Sequence, residues 1–406
     1  MSEVAAAGGS GLTRHIEAHL AFADVWHTLL FLAVVWIVGK IFHKCGAPSL
    51  VGEILVGALA GPQGWDLVPN PTALMLFGEI GLILLVLEAG LDVDLQVLKA
   101  IGLRGLGVAL VGSLAPLGIG IGLACGALGL GWQAGLTAGC TLAPTSMGIA
   151  LRVLKTCKVL HTPSAQLIIC AAIIDDVIAL ILLSQLQAIA AHRAGVLYLL
   201  QPILVSVTLV LGLGALGIVV VPRLMRCTIS RLPESAQSMA RMCALGAAAF
   251  GLIMLCDVAG SSHLLGGFLA GLCFCSDAEV RALWHHQVKR LLQWLIKLFF
   301  AATIGFEVPI RTFGDLEVVG HAAVFLIALL GKLATGVWAK PLSCVNALMV
   351  AFAMSAWGEF AFVIATAGRV ARLIDSTTFS ALILAVTHPI PTCPHIPTLY
   401  QHISHT

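Results

Sequence analysis

Charge is what this sequence has least of. Only 10% of its 406 residues are Asp, Glu, Lys or Arg, where a soluble domain carries about 25%. So few charges cannot cover the surface of a soluble protein of this size. The net charge is +2, so no strongly basic or acidic partner is implied and nucleic-acid binding is excluded. No Walker loop is present, so ATP drive is not expected. The GxG-type glycines lie inside apolar runs, where helix packing accounts for them. Nothing points to enzyme chemistry or to a bound cofactor. Tyrosine is nearly absent, two against eight tryptophans, and Trp65 and Trp132 fall at span ends where interfacial anchors belong. The cysteines lack a zinc pattern. Cys273 and Cys275 form C-x-C without a second pair, while Cys140, Cys170, Cys256 and Cys344 sit in apolar runs as small packing residues.

What is present is apolar. Residues of the AVILMFWYC set make up 59%, with 42 glycines besides, and the mean hydropathy is +1.02. The fold class is therefore all-α integral membrane. Runs of bilayer length lie near 21–41, 49–61, 73–90, 103–127, 131–155, 163–189, 199–221, 237–257, 261–276, 292–307, 317–338, 343–368 and 377–389, thirteen in all. The second and ninth are short for a straight crossing. The first lacks a small-residue cleavage site and reads as a span rather than a signal peptide. We expect a tail at 1–20, a transmembrane domain at 21–390 and a short irregular tail at 391–406, the last helix stopping abnormally at His388-Pro389-Ile390-Pro391. The joints after odd-numbered spans hold fifteen Lys and Arg against five on the other side. That bias places the N-terminus outside and the C-terminus in the cytoplasm.

The chain also repeats itself. Leu50 to Gly57 aligns with Leu264 to Gly271 at an offset of 214, and Glu88 to Val93 aligns with Thr303 to Val308 at 215. A shift of seven spans is odd, so the two halves run oppositely through the membrane, as in secondary transporters with a site where the repeats meet. Carried further, the offset lays Ala143-Pro144-Thr145-Ser146 in the fifth span on Trp357-Gly358-Glu359-Phe360 in the twelfth. Both put a helix breaker mid-span beside polar side chains. Two broken helices crossing near the midplane are thus expected, their freed backbone groups facing protein or a water-filled cavity.

Asp175 and Asp176 lie deep in the sixth span. A carboxylate at the bilayer centre costs roughly 2.5–3.5 kcal/mol, so such a pair marks function. Adjacent helical residues point about 100° apart, so one can face a neighbouring helix and the other a cavity. The structural alternative is a buried ion pair tying two helices together. Lys332 is the only deeply placed base, and Asp175 is its natural partner; snorkelling to the interface is the alternative. Thr145 and Ser146 offer oxygens that suit a small hard cation, against ordinary packing. Glu359 lines the cavity or neutralises facing helix ends. Glu53, Glu79 and Glu88 read as interface or gating residues. Asp257 reads as solvated, and so does the His285-His286 pair.

These residues resemble a family. Ala47 to Pro62, Phe77-Gly-Glu-Ile-Gly-Leu82, Ala171-Ala-Ile-Ile-Asp-Asp176, Phe299 to Gly305 and Gly358-Glu-Phe-Ala-Phe362 are similar to stretches of the monovalent cation:proton antiporters. The branch is that of the NapA-like and GerN-like sodium/proton exchangers and the Kef potassium efflux proteins. The aspartate pair with a lysine in the eleventh span resembles the electrogenic sodium/proton type. The resemblance implies a homodimer in which a core domain moves elevator-fashion against a dimerisation domain. It implies that Asp176 binds the transported cation or the proton, Na+ first, and that Asp175 pairs with Lys332. Trp357 stands where that branch often has arginine, and no cytoplasmic nucleotide-binding domain of the Kef kind is found. The expected function is Na+/H+ antiport. Its rivals are K+/H+ exchange and a non-transporting scaffold or sensor that keeps the fold.

Overall fold

The computed structural model describes residues 22–45, 49–156, 159–191, 196–229, 231–292, 297–339 and 343–387. The expected tails at 1–20 and 391–406 lie outside these residues, as does the abnormal stop from His388 onward. The chain is all-α. Its helices are α1 (Phe22–Lys44), α2 (Ser49–Ala60), α3 (Pro71–Leu91), α4 (Leu95–Ile101), α5 (Leu103–Gly122), α6 (Trp132–Leu142), α7 (Met147–Thr156), α8 (Pro163–Ala190), α9 (Val196–Leu209), α10 (Ala215–Ile229), α11 (Glu234–Val258), α12 (His263–Phe274), α13 (Ala278–Gln287), α14 (Lys297–Phe306), α15 (Leu316–Leu326), α16 (Leu329–Leu333), α17 (Cys344–Ser355), α18 (Glu359–Val370) and α19 (Ser376–Thr387).

Short polar signals set the starts. Thr162 accepts from the Ala165 N–H with Pro163 in the first turn of α8, where a missing N–H costs nothing. Asp94, Asp277 and Ser343 cap α4, α13 and α17 in the same way.

Among the described residues, seven helices rather than thirteen are long and apolar enough to cross a bilayer alone: Phe22–Lys44, Pro71–Leu91, Leu103–Ala127, Pro163–Ala190, Leu200–Ile229, Glu234–Val258 and Leu316–Trp338. Length is the reason for the difference. A bilayer core needs about 20 helical residues, and α2 and α12 have 12 each. The expected span at 131–155 is broken into α6 and α7, and that at 343–368 into α17 and α18. The helix from Leu316 also changes character, from α15 through α16 into a 3-10 turn at Ala334–Trp338.

Glycine lets the shorter helices approach closely. A methyl group at Gly57 of α2 would strike the Ala302 carbonyl of α14, and one at Gly305 of α14 would strike Ile54 and Gly57 of α2. A methyl at Gly90 of α3 would strike the Phe268 carbonyl of α12, and one at Gly271 of α12 would strike Leu87 and Gly90. Backbones this close are what small residues permit inside a membrane. The outside of the fold is apolar: Phe250, Leu211 and Met254 are 78%, 68% and 65% exposed, a surface suited to lipid rather than water. Trp65 and Trp132 are exposed, as interfacial anchors are. The described cysteines are all free; Cys344 is exposed at the start of α17 and is no packing residue.

Candidate functional site

The two helix breaks meet. Pro144 has no N–H and interrupts the helix after α6; Gly358 stands in extended backbone between α17 and α18. The two extended stretches pair as antiparallel chain, with a β-bridge between Thr145 and Trp357 and the Ser146 N–H donating to the Ala356 carbonyl at 2.8 Å. Gly358 is required by proximity rather than by its backbone angles. A Cβ there would stand 3.0 Å from both the Ser146 Cα and the Thr145 oxygen.

Several of the freed backbone groups find partners inside the protein, as lipid demands. The fully buried Trp357 donates its indole N–H to the Leu142 carbonyl at 2.7 Å. The Ser146 hydroxyl accepts from the Ile149 N–H and caps α7. The Thr145 hydroxyl donates to the Met354 carbonyl at 3.3 Å.

Lys332 of α16 is fully buried. Its ammonium has three hydrogens, and three acceptors surround it: the Ala143 carbonyl at 2.6 Å, the Thr145 hydroxyl at 2.8 Å and the Gly112 carbonyl at 3.4 Å. Gly112 is four residues before Pro116 in α5. The proline lacks the N–H that would have taken the Gly112 carbonyl, and the lysine supplies a donor instead. Lys332 therefore places positive charge at the C-terminal end of α6, where the helix dipole is negative. Glu359 is the first residue of α18 and places negative charge at a helix N-terminus.

Asp175 and Asp176 diverge as neighbouring helical positions must. Asp175 is 1% exposed and points into protein, accepting from the Ser113 hydroxyl on one oxygen and from the Thr145 N–H at 2.5 Å on the other. Asp176 lies on the wall of a cavity of about 400 Å³, together with Thr145, Ser146, Gly358 and Glu359. The expected direct pair of Asp175 with Lys332 is not made: no nitrogen–oxygen contact of 4.0 Å or less joins them. Thr145 stands between them, its N–H on the carboxylate and its hydroxyl on the ammonium, because the break turns both groups of one residue inward.

Glu88 and Asp92 line the same cavity further from the crossing. Lys289, in the joint after α13, lies 2.7 Å from Glu88 and 3.5 Å from Asp92. Burial pulls the Lys289 pKa down, but the hydrogen bond and charge of Glu88, with Asp92 behind, outweigh it and raise the pKa above its ordinary value. His285 is 3.1 Å from Asp92, so it is a partner of that carboxylate rather than a solvated loop residue. Glu79 meets His263 at 2.9 Å on another cavity. Glu53 is buried beside Gly39, and Asp257 is exposed. Among the described residues, no group of three or more His, Cys, Asp or Glu is arranged to hold a metal ion. Ser113 is the partner that sequence reasoning missed. Its one signal was Pro116, a breaker three residues on in an otherwise regular run.

The sequence profile of the family described as "Sodium/hydrogen exchanger, transmembrane" matches residues 29–393. The chain belongs to this family. It is thus a multi-pass membrane transporter and not an enzyme, carrying out secondary active transport of a monovalent cation coupled to protons. Within the family it is similar to a Na(+)/H(+) antiporter of Enterococcus hirae, 30% identical over 361 residues that cover 88% of this chain and 92% of that one. It is also similar to the glutathione-regulated potassium-efflux system protein KefC of Klebsiella pneumoniae strain 342, 30% identical over 376 residues. That match covers 90% of this chain but 58% of KefC. Among solved structures, the sodium proton antiporter MjNhaP1 from Methanocaldococcus jannaschii superposes with a TM-score of 0.70 over 94% of this exchanger and 97% of that chain. At 17% identity this likeness speaks for the fold.

Proposed function

We propose that this chain exchanges Na+ for H+, with Asp176 as the carboxylate for which the two compete. The observation that carries the reading is the split between the aspartates. Asp175 is occupied by donors from Ser113 and Thr145, while Asp176 faces the cavity. A carboxylate beside hydroxyl oxygens suits a hard monovalent cation, and a carboxylate that holds a proton has lost the charge that holds the cation. Competition for one group enforces exchange. Thr145 and Ser146 border the same space and supply further oxygens, with Glu359 adding negative potential. Lys332 reports on the site through Thr145: a cation drawing on that hydroxyl competes with the ammonium for it.

Other parts of the reading rest on the architecture. The glycine contacts cross over between the repeated segments: Gly57 meets α14 near Gly305, and the positions matched to them, Gly271 and Gly90, meet each other. A two-fold relation between inverted halves produces such an exchange of partners, and it supports thirteen crossings with α2, α12 and the broken helices counted among them. The breaks, α5, α8 and α16 are joined by buried polar bonds into one unit, which would move as an elevator against the unit containing α3 and α12. A homodimer, an exchanger domain at 21–390, an outside N-terminus and a cytoplasmic C-terminus complete the proposal. Na+ is preferred to K+ because the E. hirae relative named for Na+ is matched over nearly its whole length.

The test is Asp176→Asn in proteoliposomes, with proton flux followed under Na+, K+ and Li+ gradients. The mutant should lose cation-dependent proton flux and remain folded. Coupled exchange retained in the mutant would overturn the assignment. Wild-type flux with K+ and not Na+ would make the protein a K+/H+ exchanger, and none with any cation would favour the scaffold reading.

A further inference from the structure

A separate cavity of about 530 Å³ lies at the start of α5, and none of its lining residues borders the aspartate cavity. Its walls come from the end of α4, from Leu103 and Arg104 of α5, from the first turn of α8 around Gln166 and from Trp338, the last residue of the 3-10 turn. The volume falls within the roughly 300–1,000 Å³ of sites that hold small molecules. Its polar lining is rich in donors: a guanidinium, a carboxamide and an indole N–H. None of these side-chain hydrogens is donated to another described residue, and no carboxylate lines the cavity.

The cations around it are unbalanced. Arg104, Lys99 in the last turn of α4 and Lys155 in the last turn of α7 are all exposed. Lys155 belongs to the same end of the molecule, since its neighbour Leu154 shares a buried cluster with Val108 and Leu167. None of the three has an ion-pair partner among the described residues, whereas Arg241 and Lys289 are each met by a glutamate. Arg104 also stands in the first turn of its helix, where the dipole is already positive and Gly102 supplies no side-chain cap. An apolar track leads away from this charge. Leu103, Leu106, Leu110 and Leu114 are exposed, and spacings of three and four put them on one face of α5. From the first to the last is roughly 16 Å of helix, about half of a 30 Å bilayer core. Trp338 borders the track, its ring lying on Gly107, where a Cβ would stand 2.8 Å from it.

We infer that this cavity binds the phosphodiester headgroup of an anionic glycerophospholipid, with an acyl chain laid along Leu106, Leu110 and Leu114 through one leaflet. Arg104, Gln166 and Trp338 donate to the phosphate, and Lys99 and Lys155 supply the surrounding field. A free phosphate would meet the donors but leave the track uncovered. A zwitterionic lipid would cover the track but bring its own cation to a place that already has too many. The inference does not depend on which ion the chain carries. The elements that form the cavity also hold the crossing: α5 supplies Gly112 and Ser113, and Trp338 follows Lys332 on the same run. A lipid bound between them braces the pieces that seat Lys332 and Asp175.

The experiment takes the full chain, delipidated in detergent, and adds phosphatidylglycerol, phosphatidylcholine or inorganic phosphate. Bound lipid is counted by native mass spectrometry and the unfolding midpoint is followed in parallel. Phosphatidylglycerol should stay bound and raise the midpoint by several degrees; phosphatidylcholine and inorganic phosphate should do so far less. Arg104→Gln should weaken phosphatidylglycerol binding severalfold. Arg231→Gln, at an exposed arginine outside the cavity, should leave it unchanged. If Arg104→Gln does not fold, Trp338→Leu, which deletes one donor and keeps the wall apolar, decides in its place by the same loss. Equal retention of the two lipids, an undiminished affinity in the cavity variant, or the same loss in Arg231→Gln would overturn the inference. So would inorganic phosphate stabilising as strongly as the lipid, since the site would then be one for a soluble anion.

Discussion

Replacing Lys332 by glutamine tests whether Thr145 links the charged groups at the crossing. The ammonium donates to the Ala143 carbonyl, the Thr145 hydroxyl and the Gly112 carbonyl. A carboxamide has two N–H groups on a shorter stem, so at least one of these oxygens is left without a donor. An unpaired buried acceptor costs about 1–3 kcal/mol. The substitution also removes the positive charge nearest Asp175, and breaking a buried pair in contact typically costs about 3–5 kcal/mol. These groups are not in contact. At an effective dielectric of about 20 the Coulomb term beyond 4 Å is below about 4 kcal/mol, and Asp175 keeps its Ser113 and Thr145 donors. The expected loss is therefore at the lower end, roughly 3 kcal/mol. It is measured as the unfolding midpoint in detergent for Lys332→Gln, Asp175→Asn, Thr145→Val and their combinations. Thr145→Val deletes the hydroxyl but keeps the N–H on Asp175, so Lys332→Gln should cost less in that background than in the wild type. An equal cost in both backgrounds, or full recovery by Asp175→Asn alone, would refute a link through Thr145 and restore a direct charge pair.

Three further outcomes are expected. Gly358→Ala puts a methyl 3.0 Å from Ser146 and Thr145 backbone atoms; the crossing must open, at a cost of about 1–3 kcal/mol, and transport should fall while the dispersed protein stays folded. Wild-type flux from this variant would count against tight apposition of the breaks. Trp357→Phe keeps the bulk and removes the donor to the Leu142 carbonyl, so it should destabilise by about 1–3 kcal/mol in thermal unfolding; an unchanged midpoint would mean that the carbonyl has another donor. Lys289→Met should destabilise at neutral pH. Because Glu88 and Asp92 raise the lysine's pKa above its ordinary 10.5, the contribution is fully present below that value and is lost as pH rises through the higher folded value, so wild type and variant should converge only above about pH 10.5. Convergence near neutrality would break the assignment.

The sequence placed this chain among membrane proteins, because 10% charged residues cannot cover a soluble surface, and its apolar runs of bilayer length made the fold all-α. It also singled out the residues that matter. Two adjacent carboxylates and one lysine inside apolar runs are too costly to be incidental, and Pro144 and Gly358 break helices whatever surrounds them. Which helices cross a bilayer unaided was less legible, since apolar runs continue through breaks that split 131–155 and 343–368 into shorter pieces. Tertiary structure decided the rest. Only the crossing shows that Trp357 serves the Leu142 carbonyl and that the Gly112 carbonyl, freed by Pro116, is one of the oxygens that hold Lys332. The sequence offered Asp175 as the natural partner of Lys332, and the family resemblance implied the same pairing. The folded chain places Thr145 between them, because a hydrogen-bond network is settled by the direction of backbone groups at a break, and no pattern of residue types carries that direction.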